Sequence, residues 1–422
     1  MSEEPRERKR LLLLLSPNTY RAGAFLEAAS LLDVEVVRGI DVPHQLSDWW
    51  DVPLALDFTD PEDAAHEIRR YATEHPIDAV VAVDDSATLL ASRAAAALGL
   101  PHNPPEAAEA ARDKSIMRAH FARHKVPSPH YRQVALTDDP MEVARVVSFP
   151  CVVKPRHLSG SKGVIRADDP AELAAAFNRL KRLLLAEGNP LDGTTILVED
   201  FIPGFEVALE GLLTSSGLQV LALFDKPDPL DGPFFEETIY VTPSRLPEDT
   251  QAAVAACAEQ AALAIGLADG PIHAELRINE RGPWMLEIAG RSIGGLCSTV
   301  LQFGTGMCLE ELLLRHALGL EVPSLDREKT AAGVMMIPIP HSGLLKEVEG
   351  IAEASAVPCI EGVEITAKVG GPIVALPEGS SYLGFIFARA ADPATAEAAL
   401  REAHSRLRFR IKPTLQVIQS LP

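Results

Sequence analysis

The sequence lacks long apolar runs, paired cysteines and an excess of basic residues, and each absence excludes a class of protein. The leucine run at residues 11–15 has five members, whereas a membrane span needs roughly 20 apolar residues and a secretory signal about 7–15. The five cysteines are scattered without CxxC spacing, so they indicate neither a zinc site nor a disulfide framework. The net charge of −20 disfavours nucleic acid and anionic lipid as partners. We therefore expect a cytoplasmic protein that binds neither membrane nor nucleic acid.

The order of strand and helix patterns predicts three domains, in line with a length of 422 residues. Residues 1–103 alternate strands and helices, which is typical of a small parallel sheet flanked by helices. This region has no GxGxxG, so the dinucleotide-binding fingerprint is absent. Residues 104–320 combine helices with antiparallel strands and include a lid subdomain at about residues 128–204. Residues 321–422 mix strands with one long helix, and we predict an α+β domain there.

Two glutamates lie inside apolar, strand-like runs in the segment 273–295, which reads HAELRINERGPWMLEIAGRSIGG. Side chains two residues apart in a strand point to the same face. In the first run, this alternation places His273, Glu275 and Arg277 on the same face of the strand. In the second run, it places Met285, Glu287 and Ala289 on the same face. An acid on each of these faces needs an explanation, since both runs are otherwise apolar.

A turn composition separates the two runs and predicts a hairpin whose loop is residues 280–282. Glu275 then lies opposite Glu287, at a separation of roughly 5 Å, where like charges destabilise a sheet. A hard divalent cation bridged by the two carboxylates would remove this repulsion. The alternative is that both acids are solvated on the exposed face of an edge hairpin.

A lysine and a flexible loop follow another apolar strand, in the segment CVVKPRHLSGSKG. Lys154 ends the strand, and a lysine there is costly unless an anion pairs with it. Ser159, Gly160, Ser161 and Gly163 allow the backbone to wrap closely around an anion. The spacing is not that of a GxxxxGK[ST] loop. The pattern therefore favours a phosphate cradle, with a surface hairpin turn as the alternative.

The segment ILVEDFIPGFEV combines an apolar strand with acidic residues, and this pattern has two interpretations. An extended stretch at Phe201 and Ile202 can offer backbone donors and acceptors to a purine edge, and Glu206 can accept from two ribose hydroxyls. The alternative is a strand and a turn with exposed acids, which include Glu199. Lys114, in ARDKSIMR, is ambiguous because a helical lysine usually lies on a solvated face.

Taken in this order, the motifs resemble the ATP-grasp superfamily over about residues 11–320. EIAGRSIGG and the later segment IPIPHSGLLKEVEGI resemble its L-amino-acid ligase branch. The resemblance implies a mixed α/β and α+β fold, with an N-terminal parallel α/β domain, a central ATP-grasp domain with a lid, and a C-terminal α+β domain. It implies ATP with Mg²⁺, or Mn²⁺ as an alternative, and small-molecule carboxylate and amine substrates. A homodimer is left open.

The same resemblance assigns roles to individual residues. The nucleotide contacts are Lys114, Lys154, Ser159, Gly160, Ser161, Glu199, Phe201, Ile202, Glu206 and Leu286. Glu275 and Glu287 become the metal ligands. Many members carry asparagine two residues after the second glutamate, where this chain has Ala289, so the number of metal ions stays open.

Substrate contacts are expected around Arg291, which the resemblance places on the acyl phosphate. The backbone N–H groups near Gly294 and Gly295 would join it in stabilising a tetrahedral oxyanion. Glu237 and Tyr240 are candidates to line the substrate pocket. His273 has three readings: a substrate contact, a partner of a metal ligand, or a packed strand histidine.

The implied activity is ATP-dependent joining of a carboxylate to an amine through an acyl phosphate, with ADP and phosphate released. The product is an amide or peptide, and an L-amino acid is the expected substrate. One alternative is a carboxylase-type enzyme that uses carboxyphosphate, although no segment resembles a biotin carrier. Another is a regulatory protein that binds nucleotide without catalysis, and the intact charged residues argue against it.

Overall fold

The structure is a computed structural model that describes residues 8–43 and 54–413. Its N-terminal part contains a parallel sheet flanked by helices. The strands are β1 (Arg10–Leu15), β2 (Glu35–Asp41), β3 (Leu54–Leu56) and β4 (Ala79–Ala82), in the order β3-β2-β1-β4. The helices are α1 (Ala22–Leu31), α2 (Pro61–Ala72) and α3 (Thr88–Leu98). The sheet confirms the predicted architecture. The ends of the first and third predicted domains, residues 1–7 and 414–422, lie outside the described residues.

Local sequence explains these elements. The leucines of β1 are buried on both faces of the sheet, which is why the run is continuously apolar rather than alternating. Helix α2 begins after Asp60, whose side chain accepts the backbone N–H of Asp63, with Pro61 at the first helical position. Helix α3 ends at Gly99, which has a left-handed conformation with φ of +71°.

A second, smaller sheet occupies the region predicted as the lid. After α4 (Pro105–Arg112) and α5 (Lys114–His124) come β5 (Tyr131–Ala135), α6 (Pro140–Ala144), β6 (Cys151–Pro155), β7 (Ile165–Ala167), α7 (Pro170–Ala186) and β8 (Thr195–Asp200). The strand order is β5-β8-β6-β7, with antiparallel neighbours. Leucine and phenylalanine side chains along α7 pack on this sheet and close its core.

The remaining residues build a large antiparallel sheet and two small ones. The strands are β9 (Phe205–Thr214), β10 (Gly217–Asp225), β11 (Ile239–Thr242), β12 (Gly270–Asn279), β13 (Gly282–Ala289), β14 (Gln302–Phe303), β15 (Met307–Cys308), β16 (Ala331–Ile337), β17 (Gly343–Glu349), β18 (Ile360–Glu364), β19 (Pro372–Ile373), β20 (Gly384–Ala390) and β21 (Arg408–Lys412). The helices are α8 (Glu248–Ile265), α9 (Leu309–Ala317), α10 (Ile351–Ser355) and α11 (Pro393–Arg406). Within the described ranges, no helix is long and apolar enough to cross a bilayer.

The large sheet continues across the boundary predicted at residue 320. Its order is β13-β12-β9-β10-β11-β16-β20-β18, and its last three strands come from the predicted C-terminal domain. The two small sheets are β14-β15 and β19-β17-β21. Strand patterns show where strands occur but not which sheet they join, so the domain limits stay predictions.

Candidate active site

A cavity between the lid sheet and the hairpin β12–β13 brings most of the predicted site residues together. Its lining includes Lys114, Lys154, Ser159, Gly160, Ser161, Glu199, Phe201, Ile202, Glu206, Glu237, Glu275, Leu286, Glu287 and Arg291. These residues come from five different strands, from the first residue of helix α5 and from loops between the elements. Tyr240, His273, Gly294 and Gly295 are not part of this lining. The roles of all these residues stay predictions, but their proximity is a property of the fold.

The two strand glutamates pair across the hairpin as predicted. Glu275 in β12 lies opposite Glu287 in β13. The predicted loop of residues 280–282 was one residue too long, because Asn279 pairs with Gly282 and leaves a two-residue turn. Two-residue turns match the twist of antiparallel strands, which favours the shorter loop.

A bulge at Leu286 restores the pairing of the glutamates. Leu276 pairs with Met285, and the register then shifts by one residue before Glu287. Met285 was predicted on the face of Glu287, and this was wrong, because it is fully buried in the core with Leu276. The extra residue brings Leu286 to the cavity beside Glu287. Bulges of this kind reorient side chains and are common beside active sites.

The charges around the two glutamates fit a divalent cation. Burial raises the pKa of Glu275, and the carboxylates of Glu206 and Glu287 raise it further, while Lys226 opposes the rise. Lys114 Nζ lies 3.0 Å from Glu287 Oε1. Negative charge at Glu275 is thus only partly compensated by the protein. Carboxylate oxygens are suitable ligands for Mg²⁺ or Mn²⁺ and would complete that compensation.

The lid contributes a buried lysine, as the strand-end pattern predicts. Lys154 Nζ lies 2.6 Å from Glu199 Oε2, and Arg118 Nε lies 2.9 Å from Glu199 Oε1. Burial, together with the neighbouring charges of Arg118 and Lys114, lowers the pKa of Lys154 to about 8. Two cations beside one carboxylate leave a net positive charge, which suits a phosphate.

Sequence reasoning missed Arg118. Its guanidinium is fully buried and also donates to the Leu286 carbonyl at 2.7 Å, so it connects the lid to the bulge. The available signal was its position four residues after Lys114, since such residues share one face of a helix. The face of α5 that carries Lys114 therefore also carries Arg118, and both cations contact carboxylates of the cavity lining.

Lys226 was missed as well, although it follows the same strand-end pattern as Lys154. Its Nζ lies 2.8 Å from Glu206 Oε1 and 3.7 Å from Glu275, and it also donates to Glu237. The Glu237 carboxylate accepts a further hydrogen bond from the Tyr240 hydroxyl at 2.7 Å. These acids could gather around a metal ion, but the ammonium of Lys226 already supplies a cation there. Glu275 and Glu287 therefore stay the predicted metal ligands.

Arg291 lies at the other end of the cavity, next to the N-terminal domain. Its Nε is 3.4 Å from Asp85 Oδ1, and its Nη1 donates to the Ser292 carbonyl at 2.8 Å. Asp85 belongs to the turn after β4 and was not a predicted site residue. Because β4 is parallel to β1, its carboxyl end points to the same edge of the sheet, where ligands of α/β folds usually bind.

His273 is buried between Glu210 and Glu275. Its Nδ1 lies 3.2 Å from Glu210 Oε2 and its Nε2 lies 3.7 Å from Glu275 Oε1. The Glu210 carboxylate also accepts the backbone N–H of Ile293, just before Gly294 and Gly295. Among the three readings of His273, these contacts favour a packed histidine that is also a partner of Glu275.

The Gly/Ser loop lies against the C-terminal part of the chain. Gly160 and Ser161 both have positive φ, and the Gly163 N–H donates to the Pro377 carbonyl at 2.8 Å. Nearby, Arg179 of α7 forms two hydrogen bonds with Glu378, of 2.6 and 2.9 Å. The loop is therefore supported from the C-terminal part of the chain, in addition to the ion pair of Lys162 with Glu187 at the end of α7.

We predict that this loop, within the larger lid subdomain, is itself a mobile lid over the cavity. Bound ATP should suppress its motion. Glycine and serine give it little internal packing, which lowers the cost of local opening. Hydrogen exchange at residues 157–163 should slow when ATP and magnesium are added. In the nucleotide-free protein, Glu378→Gln should speed exchange there, since it weakens the contact with Arg179. Exchange that is unchanged by nucleotide would show a plain surface turn.

Three domain families match the chain. A model of the ATP-grasp N-terminal domain matches residues 38–102, one of the ATP-grasp domain matches residues 147–300, and one of the L-amino acid ligase C-terminal domain 2 matches residues 335–412. The two ATP-grasp models, together with the fold, show that the chain belongs to the ATP-grasp superfamily. Within it, the chain resembles the L-amino acid ligases.

Individual relatives agree with this placement. Alanine–anticapsin ligase of Bacillus subtilis is 27% identical over 291 residues, which are 65% of this chain and 60% of that protein. Carnosine synthase 1 of Homo sapiens is 27% identical over 58% of this chain and 31% of its own. The crystal structure of L-amino acid ligase from Bacillus licheniformis has a TM-score of 0.78 and 26% identity, covering 97% of this chain and 100% of that one. The match thus spans less than two thirds of the first two proteins.

Proposed function

We propose that the protein is an ATP-dependent ligase that joins a carboxylate to an amine, with an L-amino acid as a substrate. The observation that carries this proposal is one cavity lined by Lys114, Lys154, Glu275, Glu287 and Arg291. Such a cavity can bring the γ-phosphate of ATP against a substrate carboxylate. The relatives whose names describe ligases of amino acids support the same conclusion.

The lid side of the cavity suits the nucleotide. Lys114 and Lys154 would contact the phosphates, and the loop at residues 159–161 would cover them with backbone N–H groups. The adenine would lie along Phe201 and Ile202 with Leu286 beneath it. Glu206 would accept hydrogen bonds from the ribose hydroxyls. All of these groups face the same cavity.

The first chemical step would form an acyl phosphate. An oxygen of the substrate carboxylate attacks the γ-phosphorus, the bond to the β-phosphate oxygen breaks, and ADP leaves. Glu275 and Glu287 would hold Mg²⁺, whose charge offsets the negative charge of the phosphates. Arg291 and Lys154 are placed to neutralise the charge that develops where the two anions meet, and positioning supplies much of the rate.

The second step would form the amide. The amine nitrogen attacks the activated carbonyl carbon, the tetrahedral intermediate loses phosphate, and the amine gives up a proton. Arg291 and the backbone near Gly294 and Gly295 are the proposed donors to the oxyanion. At this end of the cavity Asp85 lies 3.4 Å from Arg291, and Glu237 is compensated by Lys226.

The alternatives have less support. A carboxylase-type reaction would use the same cavity, but the C-terminal match is to a domain of L-amino acid ligases. A regulatory protein that only binds nucleotide would have no need for Arg291 in the same cavity as Glu275 and Glu287. These observations favour the ligase.

The decisive experiment measures ADP and phosphate release with pairs of L-amino acids. We expect release to depend on added amino acid and to match amide formation, as detected by mass spectrometry, in a one-to-one ratio. Release that responds to bicarbonate instead would favour the carboxylase. Nucleotide binding with no release under any condition would favour the regulatory protein.

We predict that Lys154→Ala weakens ATP affinity and turnover together, each by about tenfold or more, because a phosphate contact acts in both the ground and transition states.

In wild-type protein, ATP affinity should fall as the pH rises through about 8, where Lys154 loses its proton. This fall should be absent in the variant. Nucleotide titration from pH 7 to 9 tests both points, with Lys346→Ala on the exposed face of β17 as the control. Unaltered affinity and rate would show that Lys154 is only a strand-end residue.

A further inference from the structure

A buried arginine connects the nucleotide side of the cavity to the metal hairpin. Arg277 lies two residues after Glu275 in β12 and is 2% exposed. Its Nε donates to Glu206 Oε2 at 3.1 Å and its Nη1 donates to the Ile202 carbonyl at 2.9 Å. Its Nη2 donates to the Leu230 carbonyl in the loop between β10 and β11. One guanidinium therefore ties three separate segments together.

Aromatic rings fix the plane of this guanidinium. The Arg277 Cζ lies 4.8 Å from the ring centre of Phe201 and 5.9 Å from that of Phe235. A planar guanidinium directs its donors to the carboxylate and both carbonyls from one fixed plane, whereas an ammonium is a compact point charge without such a fixed fork. The arginine is therefore more specific to its place than a general positive charge would be.

Glu206 is held from two sides by different cations. Lys226 donates to its Oε1 and Arg277 to its Oε2. With Lys226 alone, the carboxylate could rotate about its terminal bond, since a single contact leaves the second oxygen free. Arg277 removes this freedom and at the same time fixes the neighbouring Ile202 carbonyl. Each carboxylate oxygen still has a lone pair available for a further donor.

We propose that Arg277 is a positioning residue that orients Glu206 toward the ribose and so sets the preference for ribonucleotides over deoxyribonucleotides. The inference rests on the proposed function, in which Glu206 accepts from the ribose hydroxyls. A 2′-hydroxyl that donates to an oriented carboxylate contributes roughly tenfold or more in affinity. A carboxylate that is free to rotate loses much of this contribution, because binding must then restrict it.

The test is calorimetric binding of ATP and of 2′-deoxy-ATP, each with magnesium, to folded wild-type and variant proteins. We expect wild type to prefer ATP by about tenfold or more. Arg277→Met should narrow this preference to within about threefold, mostly through weaker ATP binding, and Arg277→Lys should narrow it too. Arg281→Met, at the exposed tip of the same hairpin, should keep the wild-type preference. Circular dichroism verifies folding, and the lysine variant decides if the methionine variant does not fold.

The outcomes separate this inference from the proposed function. Wild-type protein that binds no nucleotide would overturn the proposed function itself. Wild type that binds both nucleotides equally well would overturn the inference, since Glu206 would then make no use of the 2′-hydroxyl. An unchanged preference in the folded Arg277 variants, with both affinities lowered alike, would reduce Arg277 to a structural role.

Discussion

Glu287→Gln should abolish phosphate release, with turnover lowered by about a thousandfold or more, while the fold survives. Glutamine has the same shape but no charge, so Glu275 would be the one remaining carboxylate for the cation. Loss of several kcal/mol of charge stabilisation corresponds to that factor. Lys114 would also lose its partner at 3.0 Å, yet it keeps the Leu158 carbonyl as an acceptor.

The measurement pairs steady-state phosphate release with thermal unfolding. Glu280→Gln is the matched control, because Glu280 lies exposed at the tip of the same hairpin and should tolerate the change. Magnesium should strengthen ATP binding less in Glu287→Gln than in wild type. Turnover like that of wild type in a folded variant would remove the hairpin pair from the metal site.

Arg291→Lys should lower amide formation by roughly a hundredfold or more, the scale of losing a donor to a transition-state charge. ATP affinity should stay nearly intact, because in the proposed site the nucleotide is held by Lys114, Lys154 and the segment at Phe201 and Ile202. A lysine keeps the charge but not the paired donors in a fixed fork that can reach the phosphoryl group and the carboxylate together. The prediction therefore separates a ligase from a protein that only binds nucleotide.

Nucleotide affinity and amide product should be measured side by side in this variant, with Arg281→Lys as the control on the hairpin tip. An equal product yield from variant and wild type would eliminate Arg291 from the mechanism. Loss of ATP binding with turnover otherwise normal would move Arg291 to the nucleotide site. Because Asp85 lies 3.4 Å away, the variant also shows how much the N-terminal domain contributes to placing this cation.

Much of the site was predictable because its signals are local. The strand-end Lys154, the Gly/Ser loop and the alternation that pairs Glu275 with Glu287 are each contained within about 15 neighbouring residues. Periodicity and turn composition act over such distances, so they indicate faces and turns directly. The same holds for the continuous leucine run of β1, whose burial on both faces follows from its composition.

Contacts between distant segments needed the tertiary structure. Arg118, Lys226 and Asp85 join the site from a helix, a strand end and another domain. Helix spacing and the strand-end pattern could single out the first two, but no local pattern predicts which distant segments they meet. The bulge at Leu286 also escaped prediction, because one extra residue changes which side chains face the core without changing the apolar pattern.

The sequence by itself therefore determined the types of secondary-structure element. It also determined which charged side chains are candidates for binding or catalysis, and their order along the chain. The tertiary structure alone decided which charges compensate one another, such as Lys226 among Glu206, Glu237 and Glu275. It also decided that the C-terminal strands extend the central sheet. The physical reason is that local backbone preferences act over a few residues, whereas strand pairing and charge compensation depend on free energies that arise only when distant segments come together.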